Sequence, residues 1–252
     1  MITNTQRILY KDGYFPAYLK KVDSKTRFQG YNYDIQTIQE VKTDRVWKVE
    51  LQNGLVTYFS DCVVFTDLHW PKHISTIQTG DNILTYSPGF ESNGPKSLAK
   101  QLANAFVLND ETCKKGILKK YKIKSLSKFK LLANNIDLIG EFLCEIVKFH
   151  LKDLRYESII IKNIFSYEFL QEILLACSLF GIHASITKES GKWVLLINRD
   201  SFIKFTTQNG GYLVKTIPVA NIYEIKQDTQ AFQISIKTIN QLVVNSIIVQ
   251  GD

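Results

Sequence analysis

The sequence predicts a mainly β domain interrupted by an α/β segment, and three observations lead to that fold class. Residues 1–95 carry short apolar runs of period two, bounded by Gly, Asn and Asp turns. Residues 96–205 switch to three- and four-residue apolar spacing, the period of an α-helix, and then hold two short strands. Beyond the break at Asn209, Gly210 and Gly211 the chain returns to strand-like patterning up to residue 252. An order of β, then α/β, then β is what an insertion inside an all-β domain produces.

In the first region, Arg7–Tyr10 predicts a strand closed by a turn at Lys11, Asp12 and Gly13. Arg45–Leu51 alternates polar and apolar residues and runs into Asn53-Gly54, a strong two-residue hairpin signal. Val56–Thr66 is the expected return strand, and Ile83–Tyr86 follows a turn at Gly80-Asp81. Ser87–Pro95 holds two prolines and two glycines among nine residues, which marks a boundary. In the middle region Ile136–Leu151 and Tyr167–Ile182 predict helices. The second is capped by Ser166 and ended around Gly181. His183–Thr187 and Trp193–Asn198 predict paired strands turning at Ser190-Gly191. The expected domains are therefore 1–95 and 206–252 as the two halves of one β domain, with 96–205 inserted between them.

A chain of 252 residues that is 45% hydrophobic and 22% charged has the composition of a folded soluble protein. The apolar run around Ile173–Ile182 is interrupted by Ser178 and too short to span a bilayer, and Met1–Pro16 has no basic leader followed by an apolar core. These features predict a soluble, cytoplasmic monomer without membrane contact. The four cysteines never form a CxxC pair, which argues against structural zinc and a disulfide framework. His69 and His73 are four apart, but Pro71 between them prevents a shared helical face, and no metal site is expected there.

Charge is informative once divided along the chain. Residues 96–205 hold 18 Lys and Arg against 11 Asp and Glu, while the flanks hold 13 of each sign, so the net +7 sits in the middle region. Its densest part contains Lys114, Lys115, Lys119, Lys120, Lys122, Lys124, Lys128 and Lys130 with no acid, interleaved with Tyr121 and Phe129. Such a patch attracts phosphate backbones by releasing counterions, and the same composition also fits a solvated helix face. Duplex DNA is the partner the first alternative implies.

Four blocks on the flanks, taken in order, resemble the inteins, self-excising elements of the Hint (hedgehog/intein) superfamily. Thr5–Gly13 (TQRILYKDG) is similar to their opening strand and "DG" turn, and Asn53–Thr66 (NGLVTYFSDCVVFT) to their second conserved block. Ile77–Leu84 (IQTGDNIL) is similar to the turn closing their N-terminal half. Ala231–Asp252 aligns without a gap to their closing strands, which end like "NGIVVHN". The resemblance implies a Hint fold and autocatalytic protein splicing without a cofactor, with the flanking host-protein segments as partners. The middle region resembles one half of a LAGLIDADG homing endonuclease. Leu138–Ile146 (LIGEFLCEI) is similar to the signature helix, and Phe169–Phe205 to the helix and paired strands that follow it. That family cuts DNA with Mg2+ held by an acid from each of two signature helices. Only one such acid, Glu145, is found here, and Ile146 follows it in place of glycine. The implied domain is a degenerate endonuclease.

Splicing needs a Cys or Ser first residue, a proton donor in the second block and a terminal Asn preceded by His. The chain departs from each. Met1 stands at the nucleophile's place; Phe59 and Cys62, with Asp61 between, stand at the Thr and His of the second block. Gln233 and Asn240 fill the places of the penultimate block's Asp and His. Gln250 and Gly251 replace the closing His-Asn, with Asp252 as either the first flanking residue or, after one insertion, the terminal one. The residues expected nearest the scissile bonds are Met1, Asp61, Cys62, Asn240, Asn245, Gln250, Gly251 and Asp252, and the expectation is that the chain as written does not complete splicing. The competing expectation is a DNA-binding or nicking protein on a non-splicing Hint scaffold.

Overall fold

The computed structural model describes the chain except residues 1, 4–5, 11–12, 17–24, 30, 68–69, 92–95, 151–153, 156, 163–165, 208–211, 238, 240 and 252. The first strands are β1 (Ile2–Thr3), β2 (Arg7–Tyr10), β3 (Gly13–Pro16), β4 (Lys25–Phe28), β5 (Tyr31–Leu51), β6 (Val56–Phe59), β7 (Val63–Phe65), β8 (Pro71–His73) and β9 (Asn82–Ser87). Then come α1 (Lys96–Val107), α2 (Glu111–Tyr121), α3 (Ile136–His150), β10 (Leu154–Arg155), β11 (Ser158–Ile161), α4 (Tyr167–Leu179), β12 (Ala184–Glu189), β13 (Lys192–Asn198) and α5 (Arg199–Thr207). The chain closes with β14 (Leu213–Ile236), β15 (Gln241–Val244) and β16 (Ile247–Gln250). Two compact units result, residues 1–88 with 212–252 and residues 89–211. No helix among the described residues is long and apolar enough to cross a membrane.

The first unit is a twelve-stranded sheet in the order β15-β2-β4-β5-β6-β1-β14-β9-β16-β7-β8, with β3 on β2. Its longest strands, β5 and β14, pair antiparallel from Ile35↔Ile236 to Leu51↔Val219, with register shifts between Lys226 and Thr229 among others. The expected hairpin at Asn53-Gly54 is present: Gly54 donates to Leu51 O, and Gly54 has φ +82°, a conformation glycine adopts without a Cβ clash. The alternation expected over Arg45–Leu51 holds only at its end. Val49 and Leu51 are buried on one face, while Val46, three residues before Val49, is buried on the other.

The return strand expected over Val56–Thr66 is two strands. It stops at Phe59 and restarts at Val63, with Ser60 and Asp61 in a bend between. Ser and Asp favour such breaks because their short polar side chains compete with the ladder for backbone groups. The break lets β6 stay beside β5 while β7 pairs with β8 and β16.

The second unit has five helices among its described residues and a four-stranded sheet, β10-β11-β13-β12. The expected α3 and α4 are present, and Ser166 Oγ accepts the Phe169 N–H as the α4 N-cap. Periodicity did not reveal α1, α2 or α5, which are short. Yet α2 carried a readable start: Asp110 accepts the Cys113 N–H at 2.8 Å, Glu111 occupies the first turn and Lys119 and Lys120 the last, each sign favoured by the helix dipole. The core gathers Phe106, Phe129, Phe142 and Phe169, with Phe106 stacked on Phe169 at a centroid separation of 4.4 Å.

Phe106 is 1% exposed at the centre of that cluster. Phe106→Ala is expected to destabilise the second unit by about 3–5 kcal/mol, through lost transfer energy plus a cavity. Native-state hydrogen exchange checks this: protection should fall in α1, α3 and α4 and persist in β5 and β14.

Candidate functional site

The break between β6 and β7 is where the first and last strands meet. Ile2 of β1 pairs with Phe59 at the end of β6 on one side and with Phe232 of β14 on the other. At the far side of the break, Val64 of β7 pairs with Val249 of β16. Carrying that antiparallel register outward sets Val63 across from Gln250 and Cys62 across from Gly251. The four residues Phe59–Cys62 therefore bridge the strand that begins the chain and the strand that ends it.

Each member of this bridge has a distinct environment. Phe59 is fully buried. Ser60 is fully buried as well, and its Oγ has no hydrogen-bond partner among the described residues. Asp61 is exposed and its Oδ1 meets His73 Nε2. Cys62 is 7% exposed, and its carbonyl accepts the Ile74 N–H at 2.9 Å. Across the register, Gly251 is buried and Gln250 is exposed, paired with Gln241.

A buried polar brace holds β1 in place. Gln6 Oε1 accepts the Thr3 N–H at 3.0 Å, and Gln6 Nε2 donates to Thr57 Oγ1 at 2.8 Å. Asn245 Nδ2 donates to the same Thr57 oxygen at 3.1 Å, while its Oδ1 accepts the Arg7 N–H at 3.0 Å. Three distant segments thus converge on one hydroxyl. Asn245 was expected near a scissile bond; it lies instead in the β15–β16 turn, with φ +46° followed by +68° at Ser246, as a structural staple. This conformation suits Asn because its short amide can satisfy nearby backbone. Gln6 and Thr57 carried no signal in the sequence, since a brace of this kind depends on contacts spanning up to 188 positions.

Met1, Asn240 and Asp252 lie outside the described residues, as does His69. Gln233 pairs with Gln39 midway along β14. Asp81 closes the Gly80-Asp81 turn. Burial raises its carboxyl, but hydrogen bonds from Lys72 and from the Gln78 N–H outweigh that and hold it below the usual carboxylate range.

In the second unit Glu145 lies within α3, 8% exposed, and is ion-paired with Lys148 one turn on. The described residues contain no group of three or more His, Cys, Asp and Glu able to hold a metal. Lys115, Lys119, Lys120, Lys122, Lys124, Lys128 and Lys130 are exposed, whereas Lys114 is partly buried. Lys114 pairs with Glu111 at 2.7 Å and Lys130 with Glu172 at 3.6 Å, so two of the eight are neutralised locally. Tyr121 and Phe129 contact each other edge to face at 4.9 Å, and Phe129 is 3% exposed. Phe129 is core, and the interleaved aromatics do not form a stacking platform on the surface.

No family model and no curated protein matches the sequence. Among solved structures, the chain is similar to a mutant of an Ssp DnaB mini-intein variant, with a TM-score of 0.44 and 11% identity, covering 100% of this chain and 98% of that one. It is also similar to the gp41-1 intein, with a TM-score of 0.43 and 7% identity, covering 99% of this chain and 97% of that one.

The brace and the lone serine make opposite predictions. Asn245→Ala leaves the Arg7 N–H without its buried acceptor and is expected to cost about 1–3 kcal/mol. Ser60→Ala removes a buried hydroxyl with no described partner and is expected to be neutral or stabilising by about 1 kcal/mol. Urea unfolding of both variants beside the parent checks the pair.

Proposed function

We propose that the chain is an intein-type protein-splicing element, built to excise itself and join the host segments flanking it, and halted at its first step. The observation that carries this reading is the meeting of the first and last strands on the Phe59–Cys62 bridge. Splicing requires two peptide bonds, far apart in sequence, to be handled in one place. A sheet that brings β1 to Phe59 and β16 to Val64 meets that requirement. Residues 1–95 and 206–252 are, on this reading, the two halves of a Hint domain.

The block lies in the side chain at residue 1. The first step needs a hydroxyl or thiol that can attack the preceding carbonyl, and Met1 offers a thioether with no proton to lose and no stable acylated form. Asp252 is the proposed working terminus, its carboxyl replacing the usual amide as the group that attacks its own carbonyl. Asp61 stands beside the bridge as the group able to take and return a proton. The Ser60 hydroxyl gives further support. A buried polar group without a partner is costly, and a peptide bond held across the bridge would satisfy it.

Residues 96–205 are proposed to be a degenerate LAGLIDADG-type domain that no longer cuts DNA. A two-metal or shared-metal phosphodiester site needs convergent acids, and Glu145 is the one candidate, already engaged with Lys148. A second reading, favoured by the exposed lysines from Lys115 to Lys128, is DNA binding by this unit on a scaffold that does not splice.

Intact mass spectrometry of a fusion tests the first reading. Residues 1–252 between two foreign proteins, with Ser following Asp252, are expected to remain unspliced with Met1 and to yield ligated flanks with Met1→Ser or Met1→Cys. If all versions stay intact, the splicing reading is wrong. Gel shift with duplex DNA tests the second: binding should appear at low salt and weaken steeply with salt, on the order of 0.9 log units per log unit of salt for each phosphate contact.

A further inference from the structure

Asp61 does not stand alone. His73 Nε2 meets Asp61 Oδ1, and His73 Nδ1 lies 2.7 Å from Ser75 Oγ and 3.3 Å from the Ser75 backbone nitrogen. A backbone N–H can only donate, so Nδ1 acts as acceptor and the ring proton sits on Nε2, where it is donated to the Asp61 carboxylate. The local fold fixes this tautomer, because His73 is the N-cap of the short helical turn Ile74–Thr76 and uses Nδ1 for the cap. The imidazole is also held by Trp47 of β5, edge to face at 6.5 Å. Its charged neighbour on β8, Lys72, is paired with Asp81.

The placement of this chain of hydrogen bonds matters more than its composition. His73 pairs directly with Val63 of β7. The register that joins Val64 to Val249 puts Gln250 on the other side of Val63. His73, Val63 and Gln250 thus form a row across three adjacent strands, and residues directly opposite in an antiparallel sheet present their side chains to the same face. Asp61, two residues before Val63 and tied to His73, reaches the end of β16 from that row.

We propose that His73 is a positioning residue of the junction site, its Nε2–H holding the Asp61 carboxylate toward the peptide bond that follows β16. This inference rests on the splicing reading above and supplies an imidazole at a site where Cys62 stands in the usual histidine's place. The step balances within the site. The attacking side-chain X–H of the terminal residue gives its proton to the Asp61 carboxylate as a bond from X to the carbonyl carbon forms. The C–N bond then breaks, and the same proton passes from Asp61 to the departing nitrogen. His73 stays neutral and donates to Asp61 throughout, stabilising the carboxylate before and after the transfer.

The test uses the full chain carrying Met1→Ser between foreign flanks, with cleavage after residue 252 followed by intact mass against time and thermal unfolding measured on the same samples. His73→Ala should slow this cleavage about 10- to 100-fold, a fraction of what a full acid–base group contributes. His73→Gln, whose amide N–H can still reach Asp61, should recover most of the rate. Asp61→Asn should be at least as slow as His73→Ala, and unfolding temperatures should agree among the variants. If His73→Ala cleaves as fast as its parent, the inference is overturned and the splicing reading stands. If His73→Ala and His73→Gln are equally slow with lowered unfolding temperatures, His73 is structural and the inference is again overturned. A parent chain that stays intact removes the splicing reading and this inference with it.

Discussion

The architecture of the first unit turns on one antiparallel register kept on both sides of a break. β6 and β7 read as a single run, and a continuous strand there would place all its residues between the same two neighbours. Because the chain bends at Ser60 and Asp61, Phe59 faces Ile2 while Val64 faces Val249. Two strands separated by nearly the whole sequence are thereby set four residues apart on the bridge. The Thr57 hydroxyl anchors this from beneath, tying Gln6 and the Asn245 turn to β6. A two-residue strand such as β1 has too few ladder bonds to persist by itself. Its position depends on the Gln6 and Thr3 contacts, which is why the brace is buried and fully paired.

The second unit follows a different logic. Its core is aromatic and self-contained, centred on Phe106, and its surface carries the whole of the net positive charge. The lysines do not form one uninterrupted stripe, since Lys114 and Lys130 answer local acids and α2 ends at Lys122 in a left-handed turn. What remains exposed is a run of six lysines between residues 115 and 128 that tracks the end of α2 and the segment after it. This arrangement suits attraction to a polyanion without sequence readout, because flexible ammonium groups neutralise phosphate while reading no base edges.

Much of this fold was legible where a local cause acts. The Asn53-Gly54 hairpin, the Ser166 cap and the turn at Ser190-Gly191 each rest on residues within a few positions of one another, and each is present. The α2 helix was equally legible in its Asp110 cap and acid-to-lysine gradient, but a search for apolar period passes over it because only Ile117 is buried. The bend at Ser60-Asp61 was hidden by the β-branched and aromatic residues on both sides, which read as one strand. Of the candidate site, Asp61 and Cys62 were visible through a resemblance, whereas His73 was weighed only as half of a metal pair with His69. Its actual partner, twelve residues earlier, becomes visible only once β7 and β8 are paired.

That pairing also explains why the residues at the bridge depart from a familiar pattern without leaving the site chemically bare. An imidazole need not occupy the position next to a carboxylate in sequence if the adjacent strand delivers it in space. β8 is three residues long and leads directly into the capped turn that consumes His73 Nδ1, so the ring has one nitrogen left and one direction in which to use it. The strand pairing sets where the ring stands, and the cap sets which nitrogen carries the proton. Asp61, exposed and at the end of that chain, is where both constraints meet the edge of β16. The chemical competence proposed for the bridge follows from sheet register first and from residue identity second.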